Sequence, residues 1–94
     1  MYKWYMRFTW DEKKRQSNLK KHGLDFKEGP RVFAGATFSI ADTRVNYGED
    51  RFATLGLLGV DVVVVVHTEH EDEIRIISMR KGTKDEQKVY FENI

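Results

Sequence analysis

Stretches that alternate apolar and polar residues are separated here by polar, helix-forming ones, and the pattern predicts the elements in turn. Residues 2–8, YKWYMRF, alternate with the period of two expected of a β-strand. Strand-like runs return at ATFSIADT (36–43), DRFATLGLLG (50–59) and DEIRIISMRK (72–81). Between the last two, Val62 to Val66 form an unbroken valine run, apolar on both faces, which belongs at a sheet centre. Asn46-Tyr47-Gly48, Leu58-Gly59 and the polar residues 70–72 are turn signals, and short connections between neighbouring strands predict antiparallel pairing. In IRIISMRK, strict alternation sends Ile74, Ile76, Ser78 and Arg80 to one face and Arg75, Ile77, Met79 and Lys81 to the other. Each face of that strand is then mostly apolar yet holds a cation.

The helices are marked by their ends. Thr9 with Glu12 fits a capping box and Asp11 is an equally good cap; the helix that follows stops at Gly23. Its only apolar residue is Leu19, while Lys14, Asn18, Lys21 and His22 share one polar face. Residues 24–34, LDFKEGPRVFA, suggest a second short helix broken or kinked at Gly29-Pro30. Thr83-Lys84-Asp85-Glu86 is another capping box, opening a short helix that carries Val89, Tyr90 and Phe91. The order predicts an α+β fold, with helices on one face of a twisted, mainly antiparallel sheet of about four to five strands.

Ninety-four residues suffice for one domain spanning 1–94. With 40% hydrophobic residues and a single proline, disorder is excluded. The absence of cysteine removes disulfides, thiolate metal sites and a thiol nucleophile. No apolar run approaches the roughly 20 residues that span a bilayer. The aromatic, charged N-terminus has no apolar signal core, so the chain reads as soluble and cytoplasmic. The net charge of +1 hides an uneven distribution. Residues 1–31 hold nine Lys/Arg against four Asp/Glu, whereas residues 32–79 hold three against eight. A basic N-terminal third can face phosphates although the whole is nearly neutral.

His67 and His70 invite a metal reading, but an odd spacing on a strand separates them, and the acidic residues 69 and 71–73 read as a polar hairpin tip. His67 and Glu69 share a face and could form an acid–base pair. Arg75 and Arg80 either pair structurally with Glu49, Asp50 or Glu69, or project to clamp a phosphate, for which the planar guanidinium fork is suited.

The blocks Trp10-Asp11, Lys14, Asn18, Lys21-His22-Gly23, Phe26, Tyr47-Gly48-Glu49, Arg51, Thr68-Glu69, Ile74-Arg75-Ile76-Ile77-Ser78, Arg80 and Glu86 resemble, in order and over nearly the whole chain, the BrnT-type toxins. The chain departs from that pattern at His67, where tyrosine is usual, and at His70, where arginine is usual. It departs also at Gly29-Pro30, and at SMRKG, where the family has SAR-x-A. The resemblance implies a RelE-like fold and a metal-independent, mRNA interferase-like endoribonuclease. Such a toxin of a type II toxin–antitoxin pair is neutralised in a hetero-oligomer by a BrnA-type antitoxin, which supplies any DNA contact. No cofactor is implied. By the same resemblance the catalytic candidates are Arg80, Arg51, Glu49, Glu69 and Tyr90, and the RNA-binding candidates Lys14, Asn18, Lys21, His22, Arg75 and Lys81. Arg80 is the expected phosphate clamp, Glu49, Glu69 or His22 the base, and Tyr90 an acid or a stacking ring. Arg75, on the opposite face, would support the fold or meet the partner. The alternative is a catalytically weak or inactive relative that docks an antitoxin and acts as a co-repressor.

Overall fold

Asp11 ends the first strand and begins the first helix in the computed structural model, which describes residues 6–42 and 51–94. Its Oδ1 accepts the Lys14 N–H at 3.1 Å, so Asp11, and not Thr9, is the cap of α1 (Glu12–His22). Thr9 stays in β1 (Arg7–Trp10). Helix α1 ends where Gly23 takes φ 71° and donates to the Leu19 carbonyl at 2.8 Å. Arg15 bridges Glu12 at 2.6 Å and Asp25 at 3.0 Å, tying α1 to the turn behind it.

That turn contains a short 3₁₀ segment, Phe26–Glu28, followed by α2 (Gly29–Ala34). Pro30 therefore starts a helix in its first turn, where no N–H is needed, and does not break one. Gly29 suits this position for a separate reason: a Cβ there would have to displace Ile76 Cδ1, so the helix start lies close against the sheet.

The remaining elements are β2 (Thr37–Asp42), β3 (Arg51–Leu58), β4 (Asp61–His70), β5 (Glu73–Lys81) and α3 (Lys84–Glu92). The sheet order is β1-β5-β4-β3-β2. Strands β2 to β5 form the expected antiparallel meander, but β1 pairs in parallel with β5, from Arg7–Glu73 to Trp10–Ile76. The sheet is therefore mixed. A parallel neighbour needs a long crossover, and the whole body of the chain between β1 and β5 supplies it.

The valine run lies in central β4 and is buried on both sides. Val63 and Val65, with Ile74, Ile76 and Met79, pack against Phe26, Val32 and Phe33. Val62 and Val64, with Leu55, pack against Tyr90 of α3. Alternate residues of a strand face opposite ways, so the helices cover both faces, not one as the element order suggested. The α2 side is the larger core; α3 covers only part of the other face, where Ile40 remains 47% exposed. No helix among the described residues is long and apolar enough to cross a membrane. The expected turn at Asn46-Tyr47-Gly48, the candidate Glu49 and the start of the expected first strand lie outside the described residues.

Candidate nucleic-acid interface

Strand β5 does not keep strict alternation. Its ladder with β4 steps from Val66–Ser78 to His67–Ile76, leaving Ile77 as an extra residue in a β-bulge. The bulge reverses the face assignment of everything beyond it. Ile74, Ile76 and Met79 are buried on the α2 side, whereas Arg75, Ser78 and Arg80 share the other face. The two arginines expected on opposite faces thus lie on the same one. Arg75 and Arg51 are both register partners of Thr68, so Arg51 joins them there, with about 10 Å between the outer strands. Arg75 is exposed and makes no ion pair among the described residues.

Strand β1 ends opposite Ile76, so β5 has no strand on its outer side from Ile77 onward. The Asn18 side chain takes that place. It accepts the Met79 N–H at 3.1 Å and donates to the Met79 carbonyl at 2.9 Å and the Leu24 carbonyl at 3.1 Å. Asn18 is 7% exposed, so it holds α1 against the bulge, where an RNA-binding role had been expected. Docked this way, the polar face of α1 and the bulge border an open groove of about 320 Å³. It is lined by Lys13, Lys14, Ser17, Asn18, Lys21 and His22 on one side and Ile77 and Ser78 on the other. Lys14, Lys21 and His22 converge as their helical spacing predicted, and no acidic residue lines the groove. Lys13 and Ser17 lie next to that spacing and were legible from it; Ile77 was not, because nothing in the alternation announces a bulge.

Arg80 is not an open clamp. Its Nη1 and Nη2 bond Glu86 Oε1 and Oε2 at 2.7 and 2.9 Å, a bidentate pair joining β5 to α3. Glu86 also accepts the Thr83 N–H at 2.9 Å in the expected capping box, and Arg80 holds its carboxyl down to about 2. Tyr90, expected as an acid or stacking ring, is 1% exposed, and its hydroxyl donates to the Ala36 carbonyl at 2.9 Å. It is a core residue with no ring face to offer a base. Lys81 is on the α2 side near Asp61, at 3.9 Å, away from the groove.

Glu69 is the register partner of Ile74 and lies on the α2 side, as does His67, the partner of Ile76. His67 is fully buried, edge-on to Phe33 and stacked on Phe52. Its Nε2 lies 2.6 Å from Thr54 Oγ1, which in turn lies 2.7 Å from Ser39 Oγ. Burial pushes its pKa down to about 4, so it is neutral at physiological pH, with Glu69 3.7 Å from Nδ1. The pair shares a face as expected, but His67 is in the core, Glu69 is exposed beyond it, and both lie across the sheet from the arginines. His70 is exposed, 3.9 Å from Glu71. Among the described residues no group of three His, Asp or Glu is placed to hold a metal ion.

A small α+β domain with a cationic groove beside an arginine-bearing sheet face has the build of a polyanion-handling protein. Comparison with known proteins gives that class a family. Residues 10–86 match the model of the ribonuclease toxin BrnT of type II toxin–antitoxin systems. The crystal structure of the Brucella abortus ribonuclease toxin BrnT superposes with a TM-score of 0.62 at 29% identity, covering 84% of this chain and 99% of that one. No curated protein matches the chain in sequence. The chain belongs to the BrnT family of ribonuclease toxins.

Proposed function

We propose that this protein is an endoribonuclease toxin that cuts RNA by attack of a 2′-hydroxyl on the adjacent phosphate, with no metal ion in the reaction. The observation that carries this reading is the β5 bulge, which puts Arg75 and Arg80 on the face of Arg51 and of Ser78, a residue that lines the Lys14–Lys21–His22 groove. In such a reaction the 2′-oxygen forms a bond to phosphorus and the bond to the 5′-oxygen breaks, leaving a 2′,3′-cyclic phosphate and a 5′-hydroxyl. A base must take the 2′-proton, cations must balance the added charge on phosphorus, and a proton must reach the leaving oxygen.

Lys14 and Lys21 hold the phosphates flanking the cut. His22, in the same groove, takes the 2′-proton through its ring nitrogen. Glu69 faces away from this groove, and among the described residues His22 is the better base. Arg75 and Arg51 extend the cationic track along the sheet face. Arg80, its fork bound by Glu86, anchors α3 at the end of that track and adds no net charge there. Family membership supports a protein antitoxin as the partner that silences this site.

The test is cleavage of single-stranded RNA in excess EDTA, with the products analysed for a cyclic phosphate. Sustained cleavage, abolished by 2′-deoxy substitution at the cut nucleotide, is the expected result. Loss of activity on chelation, or unchanged cleavage of the deoxy substrate, overturns the scheme.

A further inference from the structure

Ile77 is out of place. It is the bulged residue of β5, belongs to neither hydrophobic core, and stands in the groove opposite Lys13, Lys14, Lys21 and His22. Four basic side chains account for phosphate binding by themselves, and they give no reason for a branched apolar side chain in their midst. A bulge commonly re-aims a side chain at a functional position. Here it turns Ile77 out of the sheet's alternation and into the groove.

Resting on the reading above, we infer that the groove between α1 and the β5 bulge is a nucleobase subsite, in which Ile77 packs on one unstacked base while Lys14 and Lys21 hold its phosphates. About 320 Å³ is at the lower end of small-molecule sites, room for one base and its sugar but not for paired strands. The rim is wholly cationic or neutral, which suits the phosphates of a nucleotide and opposes a cationic occupant. Bases in an A-form duplex present only their edges in the grooves, so a base can reach Ile77 only from an unpaired segment. Ser78, beside Ile77, offers a hydroxyl to the base edge or sugar. Ile77 is thereby a residue that selects unpaired RNA and shapes the choice of base at the cut.

The experiment separates base contact from phosphate contact without requiring cleavage. Binding of the intact protein is measured for a short 2′-O-methyl RNA and for the same oligomer with abasic residues, equal in charge. The wild type should favour the base-containing oligomer by about tenfold, the scale of burying roughly 50–60 Å² of apolar surface. Ile77→Ser should remove most of that preference while leaving abasic binding within about twofold, and Ile77→Leu should keep it. Equal affinity of the wild type for both oligomers overturns the inference, as does an undiminished preference in a folded Ile77→Ser. The wild-type comparison stands even where the serine variant does not fold. Cleavage is read separately: an inactive protein that still discriminates the oligomers refutes the proposed activity and leaves the subsite intact.

Discussion

The two faces of this sheet divide stability from chemistry. On the α2 side Phe26, Val32, Phe33, Val63, Val65, Ile74, Ile76 and Met79 are 2% exposed or less, and the titratable group buried among them, His67, is kept neutral. On the other side α3 covers one end with Tyr90, and the rest carries Arg51, Arg75, Ser78 and a half-exposed Ile40. A close-packed face penalises every unmatched charge, whereas the open face leaves Arg75 exposed to solvent. Substitutions on the two sides should therefore be read out by different measurements.

The largest separation is expected between the groove and the packed core. His22→Ala should lower kcat by about 10²–10⁴-fold, the range for loss of a general base, while the unfolding midpoint in urea stays within experimental scatter. Phe33→Ala should do the reverse and cost about 3–5 kcal/mol of stability through the cavity it leaves, with residual activity in proportion to folded protein. If His22→Ala unfolds the domain, or leaves kcat unchanged, the comparison fails on its functional side.

Acid should attack the packed face first. His67 is held near 4 in the fold against an ordinary 6.5, so the unfolded chain binds this proton more readily. Its contribution is fully present above about pH 6.5 and is lost as pH falls toward 4, to a total of about 3 kcal/mol. Urea titrations across that window should show the slope, and His67→Gln should flatten it whatever it does to absolute stability.

Smaller effects distinguish the two arginines of β5. Arg80→Ala breaks the bidentate pair with Glu86 and should cost about 1 kcal/mol, together with some loss of α3 helicity by circular dichroism. Arg75→Ala should change stability by less than about 0.5 kcal/mol. It should still weaken RNA binding and reduce the salt dependence of that binding by about one phosphate contact. Equal behaviour of the two variants would erase the distinction drawn between a clamped and an open guanidinium.

Much of this was legible in the chain. The valine run announced a strand buried on both faces, and central β4 is that strand, because an unbroken apolar run fits only where both sides are covered. Thr83 to Glu86 announced a helix cap, and Gly23 a helix end, since both rest on local backbone chemistry. The polar face of α1 was legible too, because helical periodicity alone puts Lys14, Lys21 and His22 together. What that face would adjoin was not legible.

The sequence by itself determined which residues could form strands, caps and a cationic helix face, since those depend on neighbours within a turn or two. Only the tertiary structure decided that β1 pairs in parallel with β5, that α3 takes the opposite face, and that Asn18 serves as a strand's edge. It alone decided that Tyr90 and His67 are core residues and that Arg80 is closed by Glu86. Above all it introduced the bulge at Ile77, which moves Arg75 and Arg80 to one face. A bulge is settled by how two distant strands and the helix across their edge pack together, and a two-residue period read along one strand carries no record of that packing.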